Sequence, residues 1–371
     1  MTATLGQVSA PAAFDQIPVV DLGPLSGSRV EREAIAEELC RICHEVGFLL
    51  VVNHGVSSGL SAGIFDMMHR FFALTEEQKK LIDKRCSRHF RGWEPVGAEY
   101  TNYRPDIREQ IDWWTEWPAY PVDIEPYYLR LLGPNQWLPE DVLPGHRELT
   151  NQWFDELGTL ANRLMGALSL GLGLGEHYLE QYFGSQTMSL AKLIHYPPTP
   201  EGEAGVNAHH DTGFLTVLDP GPTAGLQVQN QDGQWIDVPS IEGSYVINLG
   251  ETLQAMTGNY LVATAHRVIT TEERYSAGYF HGPSLDVALA PLPLDEKFAA
   301  AVAASPHHTT AGFMASIAET EAGVADMSSS YRPSTYGEQL WNYFSRSYPE
   351  NVAAHYGGEP SDPVNEYGYS Y

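Results

Sequence analysis

The segment between Ala208 and Leu218 contains residues that could bind a metal ion. His209 and Asp211 are separated by one residue, and a strand places such residues on one face, with His210 on the other. His266 lies in ATAHRVIT, another predicted strand, and offers a third ligand. Two histidines and a carboxylate can bind the Fe(II) of a non-haem oxygenase or the zinc of a hydrolase, and the ligands alone leave both possibilities open.

Arg274 and Ser276 follow His266 and share one face of a predicted strand. An arginine binds a carboxylate through two parallel hydrogen bonds, and a serine hydroxyl adds another donor. The pair therefore suits the distal carboxylate of a dicarboxylic cosubstrate, which a zinc hydrolase does not need. An isolated R-x-S is more often an exposed arginine in a hairpin, but its place after three metal-ligand candidates favours the cosubstrate.

The elements around these residues are short and rich in β-formers. From Leu190 the hydrophobic period is two, and segments such as LAKLIHYPP, SYVINLG and RYSAGYFHGP are separated by turn signals. Evenly spaced short strands predict a sandwich or jelly-roll, a double-stranded β-helix, rather than a parallel sheet with crossover helices. The expected fold class is mainly β with flanking helices, a jelly-roll core and an N-terminal α/β region.

The chain divides into five predicted segments. Residues 1–145 form a mixed helix and strand region, 146–189 a helical segment, 190–290 the jelly-roll core, 291–335 an insertion or lid, and 336–371 a closing helix and tail. Within the first segment we expect helices at 29–45 and 57–82, and an ordered loop at 88–121, which is dense in Gly, Pro, Trp and Tyr. We expect His307 and His308 to be solvent-exposed.

Composition argues against several classes of protein. The net charge of −26 would repel nucleic acid and anionic lipid, so we expect neither as a partner. Three cysteines do not make a secreted disulfide framework, and Cys40 and Cys43 lack a second pair to complete a zinc site. The N-terminus supports neither a signal peptide nor a membrane span, which predicts a cytoplasmic protein; we expect a monomer.

Several ordered motifs carry a resemblance to a known family. HYPP, H-x-D, N-L-G-E, M-T-G-N, H-R-V and R-Y-S-x-x-Y-F-H-x-P occur in this order, preceded by IPVVDL, GFLLVVNHG, FFALTEEQK and RGWEPVGAE. The set resembles the Fe(II)/2-oxoglutarate-dependent dioxygenases of the isopenicillin N synthase-like superfamily. That superfamily includes plant flavonoid and gibberellin oxygenases and a bacterial ethylene-forming enzyme. One departure is Ile194, since the family often has Asn two positions before the YPP tyrosine.

The resemblance implies roles for individual residues. It assigns three iron ligands and three contacts of 2-oxoglutarate, which are His209, Asp211, His266, Arg274, Ser276 and Tyr196. Phe280 and Arg91 match positions near the family's substrate pocket. Trp114 lies in DWWTEWP, whose indoles could supply an aromatic wall to the same pocket, although such residues also anchor loops.

The activity that the resemblance implies is oxidation of a small-molecule C–H bond by O2, with Fe(II) as cofactor and 2-oxoglutarate converted to succinate and CO2. Hydroxylation is the default outcome, and desaturation, cyclisation or epoxidation need only a different substrate pose; secondary or amino-acid metabolism is the expected setting. The alternatives are an isopenicillin N synthase-like oxidase without 2-oxoglutarate, an ethylene-forming-type enzyme, and a catalytically silent jelly-roll that binds a metal or ligand. A halogenase is disfavoured because Asp211 keeps a carboxylate on the iron.

Overall fold

The computed structural model describes residues 13–101, 104–184, 186–305, 308 and 335–357. The strands in these ranges are β1 (Val19–Asp21), β2 (Phe48–Val52), β3 (Gly92–Glu94), β4 (Tyr100–Thr101), β5 (Arg104–Pro105), β6 (Glu109–Trp114), β7 (Leu190–Tyr196), β8 (Val206–His209), β9 (Leu215–Asp219), β10 (Leu226–Gln229), β11 (Trp235–Asp237), β12 (Tyr245–Leu249), β13 (His266–Val268) and β14 (Arg274–His281). The α-helices are α1 (Arg29–Glu45), α2 (Ser58–Phe72), α3 (Glu76–Lys79), α4 (His146–Gly171), α5 (Glu251–Met256), α6 (Glu296–Ala304), α7 (Tyr336–Ser347) and α8 (Pro349–Tyr356). Within the described ranges, every helix is too short or too polar to cross a membrane.

Two sheets form the core. The large sheet has the strand order β1-β2-β12-β9-β14-β7-β6-β3, and the small sheet has the order β11-β10-β13-β8. Their side chains meet between them, because the Phe48 ring of β2 lies 5.1 Å from the His266 ring of β13, and Tyr196 of β7 packs beside Gly205 next to β8. The predicted fold class, mainly β with flanking helices, is confirmed.

Helices cover the outer face of the large sheet. Phe154 of α4 meets Tyr279 of β14 at 4.9 Å between ring centroids, and His69 of α2 meets Tyr275 of the same strand at 4.1 Å. Successive residues of a strand point to opposite faces. The even-numbered residues of β14, from Arg274 onward, therefore face the interior between the two sheets.

The two helices predicted in the N-terminal segment have different outcomes. The helix at 29–45 is confirmed as α1, which begins at a capping box formed by Ser28 and Glu31. The single helix at 57–82 is wrong, because the chain divides there into α2 and α3. Thr75 and Gln78 form a second capping box, which starts a new helix after the first has ended at Phe72.

The loop predicted at 88–121 is also wrong in part, since this region supplies β3 and β6 to the large sheet. All six residues of β6 are buried, including Glu109, Gln110 and Asp112. A strand buried on both faces lacks the alternation of apolar and polar residues that marks a half-exposed strand. Its polar side chains instead pair with residues distant in the sequence, such as Lys79 with Glu109 and Lys84 with Asp112.

Residues 306–307 and 309–334, which make up most of the predicted lid, lie outside the described residues, and so does His307. His308 is half-buried rather than exposed: its Nε2 lies 2.9 Å from the His44 carbonyl oxygen, and the two rings stack at 4.0 Å. The five segment boundaries remain predictions. Four strands from the first segment, β1, β2, β3 and β6, belong to the same sheet as β7, β9, β12 and β14.

Buried charges occupy the edge of the large sheet that β3 and β6 form. The Lys84 ammonium donates hydrogen bonds to Glu94 at 2.9 Å, to Asp112 at 2.8 Å and to the Tyr348 hydroxyl at 3.0 Å. Burial alone would lower the pKa of Lys84, but Asp112 and Glu94 raise it above its ordinary value. One lysine therefore links the N-terminal segment to the C-terminal helices.

We expect Lys84→Met to destabilise the protein strongly. Loss of the ammonium leaves Glu94 without its ion-pair partner and Asp112 with only Lys192, 3.9 Å away, and breaking such a buried pair typically costs about 3–5 kcal/mol. The free energy of unfolding measured by urea denaturation checks this. The control is Lys80→Met, whose exposed pair with Glu76 should contribute little, and equal destabilisation by both changes would contradict the prediction.

Candidate metal centre

Two ligand candidates lie on neighbouring strands of the small sheet. β8 and β13 pair antiparallel, with His209 directly opposite His266 and their ring centroids 4.3 Å apart. Directly opposite residues of an antiparallel pair point to the same face of a sheet. Because His266 also contacts Phe48 of the large sheet, both imidazoles enter the space between the sheets.

Asp211 reaches the same space from a loop. β8 ends at His209, so Asp211 does not lie on the strand that the sequence predicts for it. The loop is held by the start of α5, where the Glu251 N–H donates to the Asp211 carbonyl at 2.7 Å. Gly250 allows this approach, because a Cβ at that position would collide with the Gly213 carbonyl oxygen. Backbone contacts with α5, rather than strand pairing, position the carboxylate.

The three candidate ligand atoms converge on one point. Nε2 of His209 and Nε2 of His266 each lie 3.7 Å from Oδ1 of Asp211. The three atoms all lie within 4.8 Å of one another, which one metal ion can bridge. Asp211 and His266 are buried, whereas the His209 side chain is 30% exposed. Two imidazole nitrogens and one carboxylate oxygen form the donor set of a facial triad.

Backbone carbonyls determine which imidazole nitrogen faces this point. Nδ1 of His209 lies 2.9 Å from the Asn207 oxygen, and Nδ1 of His266 lies 3.1 Å from the Thr264 oxygen. A carbonyl can only accept, so each Nδ1 carries the proton and each Nε2 keeps its lone pair for a metal. Burial lowers the pKa of His209 to about 3, which favours the neutral form that binds metals.

The large sheet holds the other side of the carboxylate. Oδ2 of Asp211 accepts hydrogen bonds from Thr216 of β9 and, at 2.7 Å, from Asn248 of β12, so Oδ1 is left to the histidines. Burial alone would raise the pKa of Asp211, but His266, His209 and these hydrogen bonds lower it below its ordinary value. The carboxylate is therefore ionised at neutral pH, as a metal ligand must be.

His210 lies outside the cluster. Its Nδ1 is 3.8 Å from Glu251, its side chain is 39% exposed, and burial of part of the ring lowers its pKa. The structure therefore separates the two adjacent histidines, as the sequence predicts.

Arg274 and Tyr196 form a neighbouring wall. They pair directly across β14 and β7, and the guanidinium carbon lies 5.0 Å from the centroid of the tyrosine ring. Nε and Nη2 of Arg274 donate to the carbonyls of Thr223 and Pro220 at 3.2 and 3.0 Å. Nη1 is buried without a hydrogen-bond partner among the described residues. Because an unpaired buried donor is costly, this atom fits the carboxylate of a ligand.

Ser276 is buried two residues beyond Arg274 on the same face of β14. Its partner across β7 is Ile194, the residue that stands where the family often has Asn. An apolar side chain thus replaces one polar contact, while the guanidinium and the hydroxyl remain on the wall.

Phe280 borders the metal cluster. It lies on the inner face of β14 and pairs across β9 with Thr216, whose hydroxyl donates to Asp211. The predicted place of Phe280 in the substrate pocket remains a prediction.

Trp114 lies in an apolar cluster with aromatic residues of α7, and Arg91 contacts the same cluster through the sulfur of Met188. The Trp114 ring packs edge-on against Phe344 at 5.2 Å. Arg91 is fully buried, and its Nη1 donates to the carbonyls of His89 and Leu131 at 2.7 and 2.8 Å. The predicted contacts of Trp114 and Arg91 with a substrate remain predictions.

Sequence reasoning missed the residues that hold the ligands in place. Oδ1 of Asp106 accepts from the backbone N–H and the side-chain Nδ2 of Asn207, both at 3.1 Å, and the Asn207 carbonyl in turn accepts from His209. Asn248 lies in N-L-G-E, a motif that could have indicated it. Asp106 and Asn207 act on the site through backbone groups, for which side-chain types give no signal.

Comparisons with known proteins agree with this geometry. Residues 17–140 match the family model described as non-haem dioxygenase in morphine synthesis N-terminal, and residues 185–283 match the 2OG-Fe(II) oxygenase superfamily. The chain is similar to the 2-oxoglutarate-dependent dioxygenase frbJ of Dothideomycetidae sp. (strain 11243), with 32% identity over 78% of this chain and 80% of that protein.

Two further relatives bear on the site. A homoarginine-6-hydroxylase of Arabidopsis thaliana is 30% identical over 75% of this chain and 80% of its own length. The crystal structure of a full-length Neurospora crassa protein in complex with alpha-KG and thymine superposes with a TM-score of 0.65 at 25% identity, covering 76% of this chain and 91% of that one.

The chain belongs to the 2OG-Fe(II) oxygenase superfamily. It is a 2-oxoglutarate-dependent dioxygenase, an oxidoreductase that uses Fe(II), 2-oxoglutarate and O2, and its family acts on small-molecule substrates. The cluster of two histidines and one aspartate and the unpaired donor of Arg274 fit these groups.

The two adjacent histidines should differ in metal binding. We expect His209→Ala to lower the affinity for Fe(II) or Co(II) by more than the roughly 10- to 100-fold that follows loss of an outer partner. His210→Ala, the matched control, should leave the affinity unchanged because its ring lies outside the cluster. Calorimetry under anaerobic conditions measures both, and the reverse order would contradict the ligand assignment.

Asp106 should affect the affinity for the metal without being a metal ligand. We expect Asp106→Ala to weaken metal binding roughly 10- to 100-fold, because Asn207 loses the carboxylate that fixes its carbonyl against His209. Asp106→Asn keeps an acceptor oxygen and should restore much of the affinity. The control is Thr101→Val, since Thr101 donates to the other oxygen of Asp106 at 2.6 Å and does not contact Asn207. Equal affinities for all three variants would refute this role.

Proposed function

We propose that His209, Asp211 and His266 bind the Fe(II), and that this centre hydroxylates a C–H bond of a small molecule. The convergence of their ligand atoms within 4.8 Å carries the proposal. Protonated Nδ1 atoms and an Asp211 carboxylate bonded on its outer oxygen direct all three donors inward. Desaturation, cyclisation and epoxidation remain possible outcomes at the same centre, since they differ in the pose of the substrate.

Arg274, Ser276 and Tyr196 hold the 2-oxoglutarate in this proposal. The Nη1 of Arg274 supplies a charged donor, and the two backbone carbonyls on its other nitrogens fix the guanidinium so that little freedom is lost on binding. Ser276 adds a hydroxyl on the same face. All three side chains are buried, which strengthens hydrogen bonds to a carboxylate by excluding water.

Iron and 2-oxoglutarate, when bound, would together with O2 supply an oxidant strong enough to attack a C–H bond, with 2-oxoglutarate converted to succinate and CO2. The protein orients the metal ligands and limits the access of water to the centre. Thr216 and Asn248 keep the carboxylate of Asp211 in place, and Phe280 beside Thr216 presents an apolar surface next to the metal. Such a surface limits access of water to the reacting centre.

The names of the relatives suggest the first substrates to test. One relative is a homoarginine-6-hydroxylase, and one similar structure holds thymine. L-homoarginine and thymine are therefore suitable probes. A cytoplasmic location and a monomeric state complete the proposal, as the sequence predicts.

Arg274→Gln should separate 2-oxoglutarate binding from metal binding. We expect the variant to bind Fe(II) normally but to bind 2-oxoglutarate roughly 10- to 100-fold more weakly, because it loses a hydrogen bond to a charged group. The anaerobic Fe(II)–2-oxoglutarate absorption band measures both steps, and succinate release after O2 addition reports turnover.

The control is Arg147→Gln, whose exposed arginine pairs with Glu116 at the surface. It should bind 2-oxoglutarate as the parent protein does. An absorption band that is absent from the well-folded parent would favour the silent jelly-roll. Turnover that needs no 2-oxoglutarate would favour an isopenicillin N synthase-like oxidase.

A further inference from the structure

A second buried arginine faces the same interior space as Arg274. Arg108 directly precedes β6, whose first residue, Glu109, pairs with His195 of β7. The register therefore places Arg108 level with Tyr196, which in turn pairs with Arg274 on its other side. His195 stacks on Tyr275 outside the barrel, so the neighbouring Arg108, Tyr196 and Arg274 form one row on the inner face.

Two carboxylates fix the position of the Arg108 guanidinium, but not all of its N–H groups have a hydrogen-bond partner among the described residues. Its Nη2 donates to Glu99 at 2.7 Å and to Asp106 at 3.1 Å, and its side chain is 8% exposed. Its Nε is buried and has no hydrogen-bond partner among the described residues. A guanidinium is always charged and can only donate, so an unpaired buried N–H requires an acceptor from elsewhere. Two carboxylates on one nitrogen thus orient the group and leave another N–H to a ligand.

The guanidinium lies close to the metal cluster. Asp106, which accepts from Arg108, also binds Asn207, and the Asn207 carbonyl accepts from the iron-ligand candidate His209. Arg108 is therefore three contacts away from a metal ligand. In the strand order β14-β7-β6, Arg108 lies on the opposite side of Tyr196 from Arg274.

We propose that Arg108 binds a carboxylate of the primary substrate. This inference rests on the proposed function, because it assumes that 2-oxoglutarate occupies Arg274 and leaves Arg108 to the other reactant. The substrate class is then a small organic acid or amino acid that carries its reactive C–H bond toward the metal. Glu99 and Asp106 already share the positive charge of Arg108, but a carboxylate still forms a stronger hydrogen bond with a guanidinium N–H than a neutral acceptor does.

The surroundings of Arg108 allow its replacement without loss of the fold. Glu99 keeps donors from Lys192 at 2.9 Å, from Gln110 at 2.6 Å and from the Tyr343 hydroxyl at 3.2 Å. Asp106 keeps its bonds to Thr101 and Asn207. Arg108→Gln therefore leaves neither carboxylate alone, and Arg108→Lys keeps the charge at the position.

The experiment uses the full-length protein loaded with Fe(II) and 2-oxoglutarate. The probes are L-homoarginine, L-lysine and indole-3-acetic acid, each beside its methyl ester, with thymine as a probe that has no carboxylate. Succinate release in excess of the rate without probe identifies binding that leads to turnover. The parent protein, Arg108→Gln, Arg108→Lys and the surface control Arg147→Gln are compared for each probe.

We expect at least one acid, and not its ester, to accelerate succinate release by the parent protein. Arg108→Gln should reduce kcat/KM for that acid by roughly 10- to 100-fold, as expected for a lost charged hydrogen bond, with Arg108→Lys retaining an intermediate value. Arg147→Gln should match the parent. The affinity of Arg108→Gln for 2-oxoglutarate, measured by the anaerobic absorption band, should be unchanged.

Several results would overturn the inference. One is that an ester or thymine, but no acid, accelerates succinate release, and another is that no acid accelerates it. A third is that an acid accelerates succinate release with the same kcat/KM in Arg108→Gln as in the parent protein. Weaker binding of 2-oxoglutarate itself by Arg108→Gln would reassign the arginine to the cosubstrate. A normal absorption band in the parent protein, together with succinate release, shows that Fe(II) and 2-oxoglutarate bind and react even where the inference about Arg108 fails.

Discussion

The candidate metal centre depends on two sheets staying at one fixed separation. His209 and His266 belong to the small sheet, whereas Thr216 and Asn248, which hold the outer oxygen of Asp211, belong to the large sheet. The carboxylate lies between them, with one oxygen directed to each side. A change in the packing of the sheets would therefore separate the ligand atoms before it altered any ligand. The apolar core is in this sense a condition for metal binding as well as for stability.

The positions of the side chains in the site also depend on the strand register of the large sheet. Arg274 and Tyr196 meet because β14 pairs with β7 in one register, and a slip by a single residue would turn Arg274 toward the helices. The outer residues of β14 prevent this, since Tyr275 and Tyr279 pack against α2 and α4. Contacts on the outer face of the sheet thus maintain the positions of the polar groups on its inner face.

The sequence predicted the parts of the site that depend on side-chain type, and it missed those that depend on backbone position or distant partners. The spacing of His209, Asp211 and His266 indicated a cluster that the structure does bring together. The sequence placed Asp211 on a strand, but β8 ends at His209 and the start of α5 holds the loop that carries Asp211. The region of β6 was predicted as loop because it is dense in Gly, Pro, Trp and Tyr, and no local pattern could reveal that a distant residue, Lys84, pairs with its buried Asp112.

The polar groups around Arg108 come from segments that flank the jelly-roll core. Glu99 and Arg108 come from the N-terminal segment and Tyr343 from the C-terminal helices, whereas the metal-ligand candidates and Arg274 come from the core strands and the loop after β8. In the proposed assignment, the metal ligands and the cosubstrate arginine therefore come from the core, whereas the substrate arginine, Arg108, comes from a flanking segment. A substitution at Arg108 can then alter substrate binding while the three ligand candidates stay in place, whereas Asp106 of the same segment supports His209 through Asn207. This division gives a physical reason why relatives with one fold can carry names as different as a homoarginine hydroxylase and a protein bound to thymine.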